Sequence, residues 1–504
     1  MNCAEIHATS LLPALLAVTS TSTTLLGPTR CRKQIADPEE DDDGSCGGKF
    51  TSKIATIMKS LESEHPVCGI MQRILETHLD HYGTGGTTLV SFVHVLAGVA
   101  VDLRRHYPPH EITCGFDVAL DHCTSVLDAI KIDVAEWLAE MLRRRGPAAT
   151  PLAHLGAALA SSQPDQRVCM DTAIDIAAAL GDAFDMHTWP RHVHFHDAAG
   201  VDDNSVHVGL LLPIASDDEI LILPSTKICR AIALVDGDVR FHDDDTRRVL
   251  SQVDLLVASG NVCTQTQDWC RTHDIACVVL ASISMASFCG VARCESLREW
   301  SCAHSAAAPV ALSSVHRHNQ VFAHFKSLAK STHFVTVLVA RPTRHLAEEA
   351  HLNVETALHR LARAWHDKAA LPGGGAAFMA CAASLTNVVE SDTSAVVAGF
   401  RRALLDWCLV LLDVSSSSSS LSYLETKTHV ATIDQRFLDG MQDAEFLART
   451  YFGPKLTPLT TPQLKFDGYE STKAALAAAV RAVTLVLNTQ LVLVNRPPMV
   501  QATP

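Results

Sequence analysis

Aromatic residues are scarce in this 504-residue chain, at 5%. With Ala, Leu and Val dominating, that scarcity suits a largely helical α/β protein. An excess of positive charge is missing as well. Lys and Arg number 41 against 55 Asp and Glu, leaving a formal charge of -14. General nucleic-acid binding, which needs a basic footprint, is thereby excluded. Long uninterrupted apolar runs are also lacking. The stretch 11–18 is too short to span a bilayer, is broken by Pro13, and follows Glu5 and His7 rather than Lys or Arg. The expectation is a soluble, cytoplasmic protein with neither a signal peptide nor a membrane-inserted segment. The 16 cysteines show no repeated close spacing. Cys263 with Cys270, and Cys289 with Cys294, miss the usual zinc spacings, so reduced and mostly buried thiols are expected, and no metal site. No Gly-x-Ser-x-Gly elbow occurs and no cysteine is paired with a positioned histidine, so no nucleophile is assigned.

What is present is enough apolar material, 47% of the chain, for two or three packed domains. Apolar residues recur at three- and four-residue intervals over 55–61, 68–81, 87–106 and 116–130, which predicts helices. Between 192 and 300 the pattern changes to short apolar runs at 206–213, 220–223, 231–235, 253–258 and 276–280, which predict buried strands. Helical periodicity returns from 346 to 373 and over 472–487. An acidic stretch at 38–48 and a run of serines at 415–420 read as solvated loop insertions. The order is helical, α/β, helical, as expected if an α/β unit is inserted between two halves of one helical domain.

Five segments then stand out in register. They are Leu26-Gly27-Pro28; Ala55-Thr56-Ile57 followed by Glu64-His65-Pro66; Gly86-Thr87-Thr88 with Leu96-Ala97-Gly98; His207-Val208-Gly209-Leu210 with Ile232-Ala233-Leu234; and Pro372-Gly373-Gly374-Gly375-Ala376. Together they resemble the group II chaperonins, the thermosome and cytosolic chaperonin family. The resemblance implies an α/β multidomain fold. A helical equatorial domain would take 1–132 and 372–504, a small intermediate domain 133–191 and 334–371, and an α/β apical domain 192–333. It also implies a nucleotide site, with Gly27, Pro28, Gly86, Thr87, Thr88, Gly374, Gly375 and Glu470 as the ATP-binding residues. Glycines let backbone N–H groups approach phosphate oxygens at a helix N-terminus.

The departures from the family are as informative. Gly85 stands where the family carries an aspartate that helps hold magnesium. Lys53 stands where its Asn-Asp-Gly carries a carboxylate, and Arg30 replaces a glycine after the Leu-Gly-Pro turn. The catalytic aspartate, seventeen residues before the triple glycine, matches Thr356. Glu355 is next to it, but neighbours on a helix point about 100° apart, which makes it a poor substitute. Tyr469-Glu470 resembles a Trp-Asp that contacts the sugar. ATP binding is therefore expected to be weak, magnesium binding absent and hydrolysis lost. The Asp-rich link 235–253 is short where the family has a helical protrusion that closes its chamber. Loss of both the carboxylates and the lid resembles the divergent Bardet-Biedl syndrome chaperonin-like branch. That resemblance implies assembly of the BBSome near centrosomes or basal bodies. Other chaperonin-like subunits and the cytosolic chaperonin would be its partners, and BBSome subunits its clients. The alternative is an ATP-driven folding subunit of a hetero-oligomeric ring.

Two further patterns carry less. His192, His194 and His196 alternate beside Asp197, and could bind zinc or copper from one strand face or simply sit on an exposed strand. Gly373–Gly375 would suggest a dinucleotide loop only if it followed a strand, and the periodicity predicts a helix before it.

Overall fold

The computed structural model describes the chain apart from residues 1, 27–30, 37–47, 62–64, 146–149, 161–163, 201–202, 215–225, 242–243, 281–292, 301–308, 318–319, 329–333, 389–393, 417–426, 429, 433, 436–464, 490 and 497–504. Two compact units emerge, one from Met1–Ile174 with Leu352–Pro504 and the other from Asp175–His351.

The first unit is built on the helix Gly86–Leu103. Leu89, Val90, Phe92, Val93, Leu96, Ala97 and Ala100 leave it almost no exposed face. A helix that is apolar all round must be surrounded, and this one packs against Tyr469–Asn488, Ser394–Ser416 and Ala8–Thr19. Phe92 meets Phe378 and Phe400 edge-on, each with centroids 5.8 Å apart, and Phe400 meets Phe116 at 5.7 Å. These are the geometries favoured by the aromatic quadrupole.

The same helix corrects one expectation, because it is long and apolar enough to cross a membrane by length and composition. Its polar residues do not break it; they are satisfied inside the fold. Ser91 donates to the Thr87 carbonyl at 2.7 Å and accepts from Trp407 Nε1 at 2.9 Å, while His94 Nδ1 lies 3.2 Å from the Leu16 carbonyl.

The predicted helices appear as Ile54–Ser60, Pro66–Tyr82, Gly86–Leu103 and Pro109–Ala129. Prolines at the first turn set the earlier starts of Pro66–Tyr82 and Pro109–Ala129. The predicted helix over 346–373 is cut short. Arg344–Asp367 ends before Lys368, whose φ of 51° leaves the helical region, and Ala369–Pro372 is a strand. That strand is wholly buried and apolar, a pattern that fits either element. It pairs antiparallel with both Phe466–Gly468 and Ile132–Asp133. The triple glycine therefore does follow a strand, contrary to expectation. Its sheet is antiparallel, which still separates it from a parallel βαβ dinucleotide fold.

The second unit holds a parallel sheet in the order Ala276–Val279, Leu255–Ala258, Ile232–Val235, Arg293–Cys294. Alternate residues split its two faces, as a period of two requires. Ile232, Leu234, Leu255, Val257, Ala276 and Val278 join Leu210, Val310, Leu312 and Phe325 of an antiparallel sheet. Ala233, Val235, Leu256, Ala258, Cys277 and Val279 pack with Leu250, Cys270 and Trp300 instead. The expected strand 206–213 is two strands, Asp203–Val208 and Leu210–Pro213, in different sheets. Gly209 makes the break with φ 115°, where a Cβ would lie 2.5 Å from the Phe325 carbonyl. The expected strand 220–223 lies outside the described residues. Among the described residues of the link between Val235 and Leu255, the structure places a seven-residue helix, Asp244–Leu250.

His192 ends a short helix and His194 and His196 lie on the strand Val193–Ala199, half-buried rather than exposed. The His194 ring stacks on Phe334, and His196 meets Phe322 edge-on. Burial pulls both imidazoles below their ordinary range. Among the described residues, no group of three or more His, Cys, Asp or Glu is placed to hold a metal ion.

Candidate functional site

Two glycine turns face one cavity of about 630 Å³ in the first unit. The first turn links Pro66–Tyr82 to Gly86–Leu103. Gly83 caps the earlier helix with φ 66°, and Gly85 opens the later one with φ 88° and ψ −5°. The second turn links the strand Ala369–Pro372 to Ala376–Ser384, and Gly375 opens that helix with the same φ 88° and ψ −5°. Neither helix start has a side-chain cap. Two sets of first-turn N–H groups and two positive dipole ends therefore meet the cavity, an arrangement suited to an anion.

Of the residues expected to hold nucleotide, Gly86, Thr87, Thr88, Gly374 and Gly375 all line the cavity. Gly27 and Pro28 lie outside the described residues, as does Arg30, although Leu25 and Leu26 just before them line it. Glu470 is not among the lining residues. It sits in the first turn of Tyr469–Asn488, where its charge pushes the Asp367 carboxyl up, second to burial among the influences that raise it. The lining residues on that side are instead Lys465, Phe466 and Asp467. The small antiparallel sheet places them there, and Gly373 N–H donates to the Lys465 carbonyl at 2.8 Å.

The helix Arg344–Asp367 contributes Leu352, Glu355, Thr356, His359 and Arg360 to the wall. This i, i+3, i+4, i+7, i+8 series is one helical stripe, and it is wide enough to include both Glu355 and Thr356. Glu355, expected to be a poor substitute for the aspartate, lines the cavity beside Thr356. Glu355 pulls the His359 imidazole up, but burial outweighs it and leaves that group below its ordinary range.

Lys53 and Thr356 are brought together. The Lys53 Nζ donates to Thr356 Oγ1 at 2.7 Å and to the Leu352 carbonyl at 3.0 Å. An ammonium and a hydroxyl thus meet on the wall at two of the three positions where the resemblance places carboxylates. Arg360 Nε lies 3.3 Å from Thr84 Oγ1. Burial raises the Asp467 carboxyl above the ordinary carboxylate range, against the opposing pull of Arg360 and the Gly374 N–H.

Gly85 is more constrained than the sequence suggested. Its φ of 88° is a left-handed value, and a Cβ there would come within 2.8 Å of His78 Nε2. The His78 imidazole is buried and bonds the Thr84 carbonyl at 3.0 Å. Because a carbonyl can only accept, Nε2 carries the proton. His359 and Arg360 could have been found from Thr356 by helical spacing. Lys465 and Asp467 could not, since a strand pairing across more than ninety residues puts them beside the glycines.

Comparison with known proteins agrees with this geometry. The TCP-1/cpn60 chaperonin family model matches residues 18–149 and 241–497. The chain belongs to that family. It is 26% identical over 390 residues to thermosome subunit 1 of Haloferax volcanii, covering 71% of this chain and 67% of that one. It is 22% identical over 408 residues to thermosome subunit beta of Halobacterium salinarum, covering 75% and 72%, and 22% identical over 407 residues to subunit alpha of the same organism, covering 74% and 70%.

Proposed function

We propose that this chaperonin-family chain is an assembly factor that has lost ATP hydrolysis and acts through protein contacts. The observation that carries the reading is the Lys53–Thr356 pair at 2.7 Å, a cation and a neutral hydroxyl on the wall of the cavity. Phosphoryl transfer depends on a metal held at the β- and γ-phosphates and on an oriented water. Neither group of this pair can supply a metal ligand of carboxylate character or a general base. The retained glycine turns favour weak nucleotide binding, with the N–H groups of Gly86, Thr87, Thr88 and Gly375 as phosphate donors. The working partners are other chaperonin-like subunits and the cytosolic chaperonin. The resemblance to the Bardet-Biedl syndrome branch, and within it to the Bardet-Biedl syndrome 12 protein, adds BBSome subunits as clients and a cytoplasmic site near centrosomes or basal bodies. The division into equatorial, intermediate and apical parts, with no helical protrusion in the 235–253 link, belongs to the same proposal.

One observation favours a second reading, an ATP-driven folding subunit of a ring. Glu355 lines the cavity and offers a carboxylate. Turnover of ATP by the purified chain, with and without magnesium, separates the two. No turnover above that of a Glu355→Gln variant is the expected result. Magnesium-dependent hydrolysis that Glu355→Gln abolishes would establish the second reading instead.

A further inference from the structure

We infer that the cavity takes the phosphates of a nucleoside polyphosphate without a divalent cation, the Lys53 ammonium standing in place of the metal. The inference rests on the nucleotide-site reading above and specifies its ligand state. Lys53 is fixed rather than wandering. Its backbone N–H donates to Thr51 Oγ1 at 3.0 Å, it stands at the N-cap of Ile54–Ser60, and two acceptors on Arg344–Asp367 receive its side chain. Its ammonium is therefore held at one point of the wall, with the Thr356 hydroxyl and the Leu352 carbonyl among its acceptors. The same cavity gathers two uncapped helix starts with Arg360 and Lys465, so anion attraction is built into the protein. A magnesium ion needs oxygen ligands in near-octahedral order and is repelled by a neighbouring ammonium. The lining carboxylates are Asp80, Glu355 and Asp467. Asp467 already faces Arg360 and the Gly374 N–H, and among the described residues no three His, Cys, Asp or Glu are grouped to hold a metal ion. A polyphosphate needs only countercharge and donors, and those are present without the metal.

The test is calorimetric titration of ATP into the purified full chain, once in excess chelator and once in excess magnesium. Affinity in chelator at least equal to that in magnesium is expected. Lys53→Met should weaken the chelator affinity about ten- to a hundredfold, the size of a lost charge-assisted hydrogen bond. Lys53→Arg should retain most of it. If Lys53→Met does not fold, Thr356→Val, which removes the acceptor that positions the ammonium, should lower affinity in chelator more than in magnesium. Binding seen only with magnesium would overturn the inference and leave the nucleotide site standing. Unchanged chelator affinity in a folded Lys53→Met protein would also overturn it. No binding under either condition would overturn both the inference and the site.

Discussion

The two glycine turns that face the cavity share one backbone geometry and are closed by different means. At the first, what would crowd an added Cβ is side chain. A Cβ on Gly83 would fall 2.2 Å from His359 Cγ, and one on Gly85 would fall 2.8 Å from His78 Nε2. At the second it is backbone, because a Cβ on Gly373 would lie 3.0 Å from the carbonyl carbon and oxygen of Lys465 and 3.2 Å from the carbonyl carbon of Phe466. Side chains can be replaced one at a time, whereas a strand pairing cannot move without the sheet. The triple glycine closes on the backbone of a neighbouring strand, while the first turn closes on the rings of His359 and His78.

The largest expected effect follows at the second turn. Gly373→Ala presses a methyl group on the backbone of Lys465 and Phe466, which the Gly373 N–H bond to the Lys465 carbonyl and the pairing of Phe466 with Pro372 hold in place. A loss of about 2–3 kcal/mol in stability is expected by analogy with overpacked cores, read as a lower denaturation midpoint at unchanged slope. Since the clash is with backbone, no single side-chain truncation should relieve it. A loss below about 0.5 kcal/mol, the scatter of surface substitutions, would erase the contrast between the turns.

A smaller effect, and a reversible one, is expected at the first turn. Gly85→Asp carries about 1–2 kcal/mol for an L residue in the left-handed region, together with the contact against His78. Adding His78→Ala removes the obstructing ring. The double variant should therefore lose about 1 kcal/mol less than the sum of the two single losses, a coupling typical of residues in contact. Strict additivity would mean that the backbone, not the histidine, shuts out an aspartate at this position.

Much of this arrangement was legible in the sequence, and the limits have physical reasons. Helices such as Gly86–Leu103 follow from periodicity, because a continuous apolar surface has one burial solution at that length. Glycines before a helix announce a left-handed N-cap, and both turns have one. The strand Ala369–Pro372 was missed because four buried apolar residues carry no period of their own. With it went the placement of Lys465 and Asp467, which depends on pairing between distant segments. Glu355 was discounted from a single-residue angle, yet a wide cavity accepts the whole stripe from Leu352 to Arg360. The bond between Lys53 and Thr356 joins positions 303 apart, and only tertiary structure could supply it.

The smallest expected effect is a divergence of the two turns with pH. Burial holds the His78 imidazole below its ordinary value of 6.5, with the Thr84 carbonyl pulling it up and the charge of His81 lowering it further. His359 is lowered in the same way. A histidine with a depressed folded pKa contributes stability above the unfolded value of about 6.5, and loses it as pH falls through the folded one. The first turn should therefore loosen in acid. At the second turn the sign reverses, because burial raises Asp467 above the ordinary 3.8, which favours its protonated form and adds stability as pH falls. Hydrogen exchange at two equivalent amides reads the difference. Leu89 N–H donates to the Gly85 carbonyl at 2.9 Å in the first turn, and Met379 N–H to the Gly375 carbonyl at 3.0 Å in the second. Between about pH 7.5 and pH 5.5, across the range in which imidazole takes up its proton, protection corrected for intrinsic rates should fall at Leu89 and hold at Met379. His78→Asn, which leaves nothing to protonate at that ring, should shrink the fall. Equal losses at both amides would mean that the turns respond to pH as one unit and that their different closures do not matter.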